Sequence, residues 1–255
     1  MTASSARAVL AAGDVYLASF VSGAPGPIKG PFQADKYAVT PKSDLKNATS
    51  KGKTTYGQVI ESVSVPGAVD FELVLTEVNK TSLALAVLGT AAQDSGIAGT
   101  LAPTSFTANA DDVESWIDVG HPNFHSAVVT NTGATTTYLE GTDYIVNSDL
   151  GWVKPLEGGA ITAGEALKIG GSYLAYSETT ISAMTNTQLR VRAILDGVNL
   201  VDNSGIKVIA YEVVLAAKDV FDFLLSDFNK VTLSGTMKTP AGFTTPFVVK
   251  LVDPS

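Results

Sequence analysis

Alternating apolar and polar residues in β-branched runs, bounded by Gly, Pro, Asn and Asp, dominate this chain, stop part-way, and then return. The pattern commits the chain to a mainly β fold. Residues 14–21 read as a strand ending at the turn-rich Gly23-Ala24-Pro25-Gly26-Pro27, and residues 37–40 as a shorter one. Residues 56–65 and 69–76 flank Pro66-Gly67, a pair suited to a type II turn because Gly supplies the positive φ. They are expected to form a long hairpin. In its second strand Phe71, Leu73 and Leu75 point one way, and Asp70, Glu72, Val74 and Thr76 the other. Asn79 is placed to cap a helix over residues 80–88, with Gly89 at the C′ position. Leu83, Val87 and Leu88 give that helix an apolar stripe for packing on a sheet.

The interruption has a different character. Residues 103–185 are rich in Thr, Ala and Gly, with short strands expected at 127–130, 144–147 and 166–169. They hold ten acids and two bases, so this stretch carries the whole net charge of -8 and the remainder is balanced. Longer strands return at 189–195, 207–216, 231–237 and 247–252. The simplest organisation is one β domain built from residues 1–102 and 186–255, with a small acidic β module, residues 103–185, inserted into it.

A chain of 255 residues can bury a core without staples, and it has no cysteine, which removes thiolate metal sites, catalytic thiols and disulfides. The longest apolar stretch, at 83–88, falls well short of the roughly 20 residues that span a bilayer as a helix. Arg7 followed by the apolar residues 8–12 has the beginnings of a secretion signal, but Asp14 cuts the run short, and the segment reads as an arm leading into the first strand. His121 and His125 stand four apart near Asp118, yet Pro122 and Asn123 break the helix that would align them for a metal. With no phosphate-binding Gly-rich loop of the P-loop type and no nucleophile elbow, the expectation is no catalytic residue, no metal and no cofactor. The aromatic residues of the insert, Trp116, Tyr138, Tyr144, Trp152 and Tyr173, are expected to be its own core.

Residues 41–55 contain few apolar side chains and four lysines, Lys42, Lys46, Lys51 and Lys53, although they lie between strands of the larger domain. A loop of about 15 residues without structure is usually functional or mobile. This one is expected to be disordered in the free chain and to order on a partner.

Two blocks resemble a known family. Ser50-Lys51-Gly52-Lys53-Thr54-Thr55-Tyr56-Gly57-Gln58-Val59-Ile60-Glu61-Ser62-Val63-Ser64-Val65-Pro66, followed by Phe71-Glu72-Leu73 and Leu83-Ala84-Leu85-Ala86-Val87-Leu88-Gly89, is similar to the major tail-tube proteins of long-tailed, siphophage-type bacteriophages. So is the second block, with Leu195-Asp196-Gly197-Val198-Asn199-Leu200-Val201-Asp202, Tyr211-Glu212, Phe221-Asp222-Phe223-Leu224 and Leu233-Ser234-Gly235-Thr236-Met237-Lys238-Thr239-Pro240. The insert, with Tyr138-Leu139-Glu140-Gly141-Thr142-Asp143-Tyr144-Ile145-Val146 and Gly151-Trp152-Val153, resembles a small β module of phage structural proteins.

The resemblance implies a β-sandwich or half-barrel with one α-helix, and six-fold rings that stack into a tube around an inner barrel made by all subunits. It also implies an insert that decorates the outside, and a virion-tail protein assembled in the host bacterial cytoplasm. Implied partners are other copies of itself and the tape-measure, tail-terminator and tail-tip proteins. DNA would pass without specific binding. A cationic wall would hold phosphates through counterion release, so the lumen should be neutral or acidic. Glu61, Asp70 and Glu72 are the lumen candidates, with the lysines expected outside. Lys42, Lys46, Lys51 and Lys53 are the ring-stacking candidates, assisted by the N-terminal arm and residues 252–255. The alternative is a surface carbohydrate-binding or adhesin β protein using the insert's aromatic residues as a platform.

Overall fold

The structure is a computed structural model and describes residues 8–216 and 222–252. Arg7, Phe221 and residues 253–255, which the reading above invokes, lie outside the described residues. The chain is mainly β, with one helix among the described residues. It forms two compact units, residues 1–91 with 181–255, and residues 92–180. The second unit starts earlier than the expected 103 because the strands at 90–107 are already part of its course.

The first unit begins with β1 (Ala11–Val21), β2 (Ala24–Pro25), β3 (Lys29–Phe32), β4 (Ala34–Thr49), β5 (Val59–Leu75) and α1 (Lys80–Ala86). The chain leaves it through β6 (Thr90–Gly96). The second unit holds β7 (Gly99–Thr107), β8 (Ile117–Asp118), β9 (Phe124–Asn131), β10 (Tyr144–Asn147), β11 (Trp152–Pro155) and β12 (Ala166–Tyr173). The chain returns along β13 (Tyr176–Ser182), which pairs with β6. It then adds β14 (Arg190–Asn199), β15 (Gly205–Ala216), β16 (Val231–Met237) and β17 (Phe247–Leu251) to the first unit.

In the first unit the strands form one sheet in the order β2-β1-β14-β15-β16-β5-β4, with β3 also on β1 and β17 also on β15. The sheet curls over a single core. Val15 and Leu17 of β1 share that core with Phe71, Leu73 and Leu75 of β5, although three strands lie between them in the order. Tyr37 of β4 closes the curl by donating its hydroxyl to the Ala193 carbonyl of β14 at 3.1 Å, and burial raises its pKa. Leu85 and Leu88 bring the helix onto the same core.

Asn79 caps that helix: its side chain accepts from the Thr81 and Ser82 amides, and the Ser82 hydroxyl accepts from the Asn79 amide. At the other end Leu88, with φ 48°, takes the left-handed C′ position expected for Gly89. Its amide donates to Leu85 O and that of Gly89 to Ala84 O, a Schellman pair. Gly89 is needed for space instead, since a Cβ there would stand 2.5 Å from Ser182 O.

The largest departure from the sequence reading is the hairpin. Pro66-Gly67 is no turn: β5 runs through it, and Gly67 lacks the positive φ that a type II turn requires. The partner of β5 is β4, a strand of 16 residues that takes in most of the expected loop 41–55, and the turn lies at 50–58.

The second unit stacks short strands in two sheets, β7-β12-β9 and β10-β11-β8. Its core includes Phe124, Val129, Tyr138, Tyr144, Val153, Leu167 and Ile169. Asp143 organises the connections, its carboxylate accepting the amides of Leu139 at 2.8 Å and Ala160 at 2.9 Å. These two bonds to the charged form lower its pKa.

Candidate functional site

The β4–β5 ribbon changes environment along its length. From Val69 to Leu75, β5 alternates buried and half-exposed residues, as a strand lying over a core should. From Val59 to Ala68 every β5 residue is exposed, and so is every β4 residue from Thr40 to Thr49. Nothing in the described chain covers either face of this distal half. It displays Leu45, Ile60, Val63 and Val65, with Tyr56 at 77% exposure in the turn.

A bulge determines which side chains share a face. Pro41 pairs with Val69 and Ser43 with Pro66, so two steps along β4 span three along β5. The extra residue shifts the alternation of β5, and a phase shift of one moves side chains to the other face. Glu61, Val63 and Val65 thereby join Asp70 and Glu72, opposite Ala48, Lys46 and Asp44 of β4. Without the bulge Glu61 would continue the face of Phe71 and Leu73.

Glu61, Asp70 and Glu72 therefore lie on one face, but the lysines are not elsewhere. Lys42 is 2.5 Å from Asp70, Lys36 is 2.8 Å from Glu72, and Lys46 is 3.9 Å from Asp44. The expected separation of carboxylates inside from lysines outside is corrected by these pairs. Lys42 and Lys46 are strand residues in register with the carboxylates because segment 41–49 is part of the sheet. The face is a ladder of mixed sign, and its four carboxylates against three ammonium groups leave one net negative charge. Lys36 and Asp44, which complete it, were not singled out from sequence. Alternation of Lys36, Ala38 and Thr40 with the buried-side residues Tyr37 and Val39 is the signal that could have found the first.

Lys51 and Lys53 sit apart in the turn. There the Ser50 amide donates to Gln58 O at 2.7 Å, the Gly57 amide donates to Ser50 O at 2.8 Å, and the Ser50 and Thr55 hydroxyls lie 2.6 Å apart. Gly57 adopts φ 84°, a conformation costly for other residues. The turn is a defined structure, in contrast to the disorder expected for 41–55.

Position in the sheet adds a further property. β4 is the terminal strand beyond β5, so one side of its backbone has no strand partner in the described chain. Pro41 and three lysines along it are features that natural edge strands use to resist uncontrolled pairing.

The remaining sequence candidates are dispersed. His121 stacks on the Tyr173 ring at 4.1 Å, the His125 Nδ1 lies 3.1 Å from Asn123 O, and Asp118 accepts the Gly120 amide at 2.7 Å. No group of three metal-ligating side chains occurs among the described residues. Tyr138 and Tyr144 are buried, and Trp116 and Trp152 meet at a 48° tilt with centroids 6.3 Å apart.

A family described as protein of unknown function UCP028589 matches residues 8–239. The chain belongs to that family. The match runs through both compact units. Comparison with curated proteins finds no match.

Proposed function

We propose that this member of the family is a structural subunit whose copies join edge to edge into closed rings, and that stacked rings make a tube for the passage of DNA. The observation that carries the reading is the distal β4–β5 ribbon, with both faces and one backbone edge uncovered over residues 43–65. A two-stranded ribbon alone is marginal in water. Pairing its edge with a neighbouring copy satisfies the backbone groups, and a rotation that closes leaves no free edge. The resemblance to siphophage tail-tube proteins adds the six-fold ring, the partner tail proteins, the virion-tail location and the role of residues 92–180 as an outer decoration.

In such a ring the ladder of Glu61, Asp70 and Glu72 faces the channel. Its suitability comes from pairing, since Lys36 and Lys42 are held by carboxylates and are poor partners for phosphate. The Lys51 and Lys53 turn is then free for contact between rings.

Negative-stain microscopy of the purified chain at high concentration tests this. Rings or tubes with a central hole are expected, together with slower hydrogen exchange over residues 43–65 on assembly. A strict monomer at every concentration and salt would reject the proposal.

A further inference from the structure

A second uncommitted surface lies on β14 and β15. Val191 pairs with Val213 and Ala193 with Ala210, so three steps of β15 stand against two of β14. This bulge sets Tyr211 and Glu212 together opposite Arg192, and all three line a cavity of about 410 Å³. Glu212 is 3% exposed and accepts Arg190 Nη1 at 3.0 Å, with Lys238 Nζ at 3.6 Å.

Among the described residues Arg192 has no carboxylate partner and its buried Nε has no acceptor. Three cations thus line the cavity beside one carboxylate, a local excess of two positive charges. The remaining wall is small residues, prolines and three aromatic rings: the Arg190 guanidinium lies 5.8 Å from the Phe20 ring centroid, and Tyr211 and Phe243 pack at 4.1 Å. Such a cavity suits a segment that brings carboxylates and large apolar side chains together.

One described segment has that composition. Asp222-Phe223-Leu224-Leu225-Ser226-Asp227-Phe228 has two carboxylates and no cation. Leu224 is 93% exposed and Phe228 89%. Asp222 accepts the Leu224 amide at 2.9 Å and Asp227 the Phe228 amide at 2.7 Å, which gives the turn a defined shape. A cluster of exposed apolar side chains this dense marks a contact surface.

We propose that residues 222–228 of one copy dock into the Arg190–Arg192–Lys238 cavity of a second copy. The two negative charges of the segment meet the two excess positive charges of the cavity, and Phe228 or Leu224 fills the space between the Phe20 and Phe243 rings. The inference rests on the self-assembling reading, in that its occupant is another copy of this chain. It adds a contact separate from the β4 edge.

The absence of native cysteine allows a direct test on the full chain. Chains carrying Leu224→Cys and Ala241→Cys, both exposed positions, are mixed and oxidised. Docking raises the effective thiol concentration, so the mixed disulfide dimer should form roughly tenfold or more above a control pairing Leu224→Cys with Thr104→Cys. Adding Arg192→Glu to the cavity copy should remove that excess, and adding Asp227→Lys to the segment copy should restore part of it.

Cross-linking equal to the control overturns the proposal. So does a disulfide that forms only within a doubly substituted chain, which would mean the segment covers its own cavity. Microscopy of the unsubstituted chain separates the two ideas. Rings without the specific cross-link sink this contact alone, whereas the cross-link without rings sinks the tube and leaves a docked pair.

Discussion

Arg190 and Glu212 form an ion pair that is asymmetric in burial, and the asymmetry predicts which substitution does more harm. The Glu212 side chain is 4% exposed, whereas Arg190 is 32% and Lys238 59% exposed. Arg190→Met removes the 3.0 Å partner and strands a carboxylate away from water, with only Lys238 at 3.6 Å remaining. Breaking a buried pair in this direction costs about 3–5 kcal/mol, and the residual lysine places this case toward the lower end.

Glu212→Gln strands two cations that water still reaches, and the amide oxygen can still accept from Arg190. About 1–2 kcal/mol is expected. For a unit of this size each kcal/mol lowers Tm by about 2–4 °C, so Arg190→Met should cost about 6–20 °C and Glu212→Gln about 2–8 °C. Differential scanning calorimetry of the full chain measures both, on the transition that belongs to the first unit. The double substitution Arg190→Met with Glu212→Leu should recover most of the loss, because an apolar pair leaves no buried charge. Equal losses from the two single changes, or a greater loss from Glu212→Gln, would refute the assignment of the cost to the buried carboxylate.

Three further outcomes follow from named contacts. Lys42→Glu should shift Tm little, because an exposed pair is worth up to about 1 kcal/mol, yet it takes the ladder from one to three net negative charges. Sedimentation should find a higher concentration threshold for assembly at low salt, returning toward the unsubstituted chain near 1 M salt, where the Debye length is about 3 Å; an unchanged threshold at low salt would remove that face from contact with its copies. Gly235→Ala places a Cβ 2.2 Å from the Val214 carbonyl oxygen, a backbone atom within the sheet, and should cost about 1–3 kcal/mol or more in urea unfolding. In the second unit Asp143 and Glu165 have lowered pKa values, so the folded unit binds fewer protons than the unfolded chain. Their stabilisation is present above the unfolded carboxylate range and is lost as pH falls through the lowered values. Asp143→Asn should lower Tm at neutral pH and flatten its acid dependence, and melts from pH 7 to 2 with parallel slopes would contradict this. At the alkaline end Tyr138, whose pKa is pushed up to about 12 by burial and the Glu165 carboxylate, loses its contribution as pH rises from about 10 toward that value.

What could be read from sequence follows from where a core exists to impose a pattern. Phe71, Leu73 and Leu75 alternate because one side of β5 rests on β1, β14 and α1, and the strand, its direction and its polar side were legible from that alone. Asn79 was legible as a cap because capping depends on its own side chain and the next three residues. Leu88 was not, since its left-handed backbone is imposed by burial against the sheet, and Gly89 beside it carried the stronger local signal. The bulge at 66–68 and the strand at 41–49 failed for a related reason. Both faces of the distal ribbon meet solvent in the single chain, so no alternation is required there, and Pro66-Gly67 then resembles a turn.

Glu212 was hidden more completely, because an isolated Glu in a β run has no local mark, and its burial depends on a register shift against a strand starting 22 residues earlier at Arg190. Local pattern therefore identified residues whose environment is supplied within a few positions or by a continuous core face. It missed the two places where one extra residue in a ladder re-aims charged side chains, at 66–68 and at 211–212. Both bulges shape proposed surfaces, the first by uniting Glu61 with Asp70 and Glu72 on the channel face, the second by turning Glu212 and Tyr211 toward Arg192 in the docking cavity. A strand of regular phase would have buried one member of each set or turned it away. Restoring regular phase by inserting one residue after Lys42, so that β4 matches the three steps of β5, should therefore move Glu61 to the face of Phe71 and abolish assembly. The helix and the core of the first unit should persist in circular dichroism, and an insertion variant that still assembled would show that assembly does not depend on the face Glu61 shares with Asp70 and Glu72.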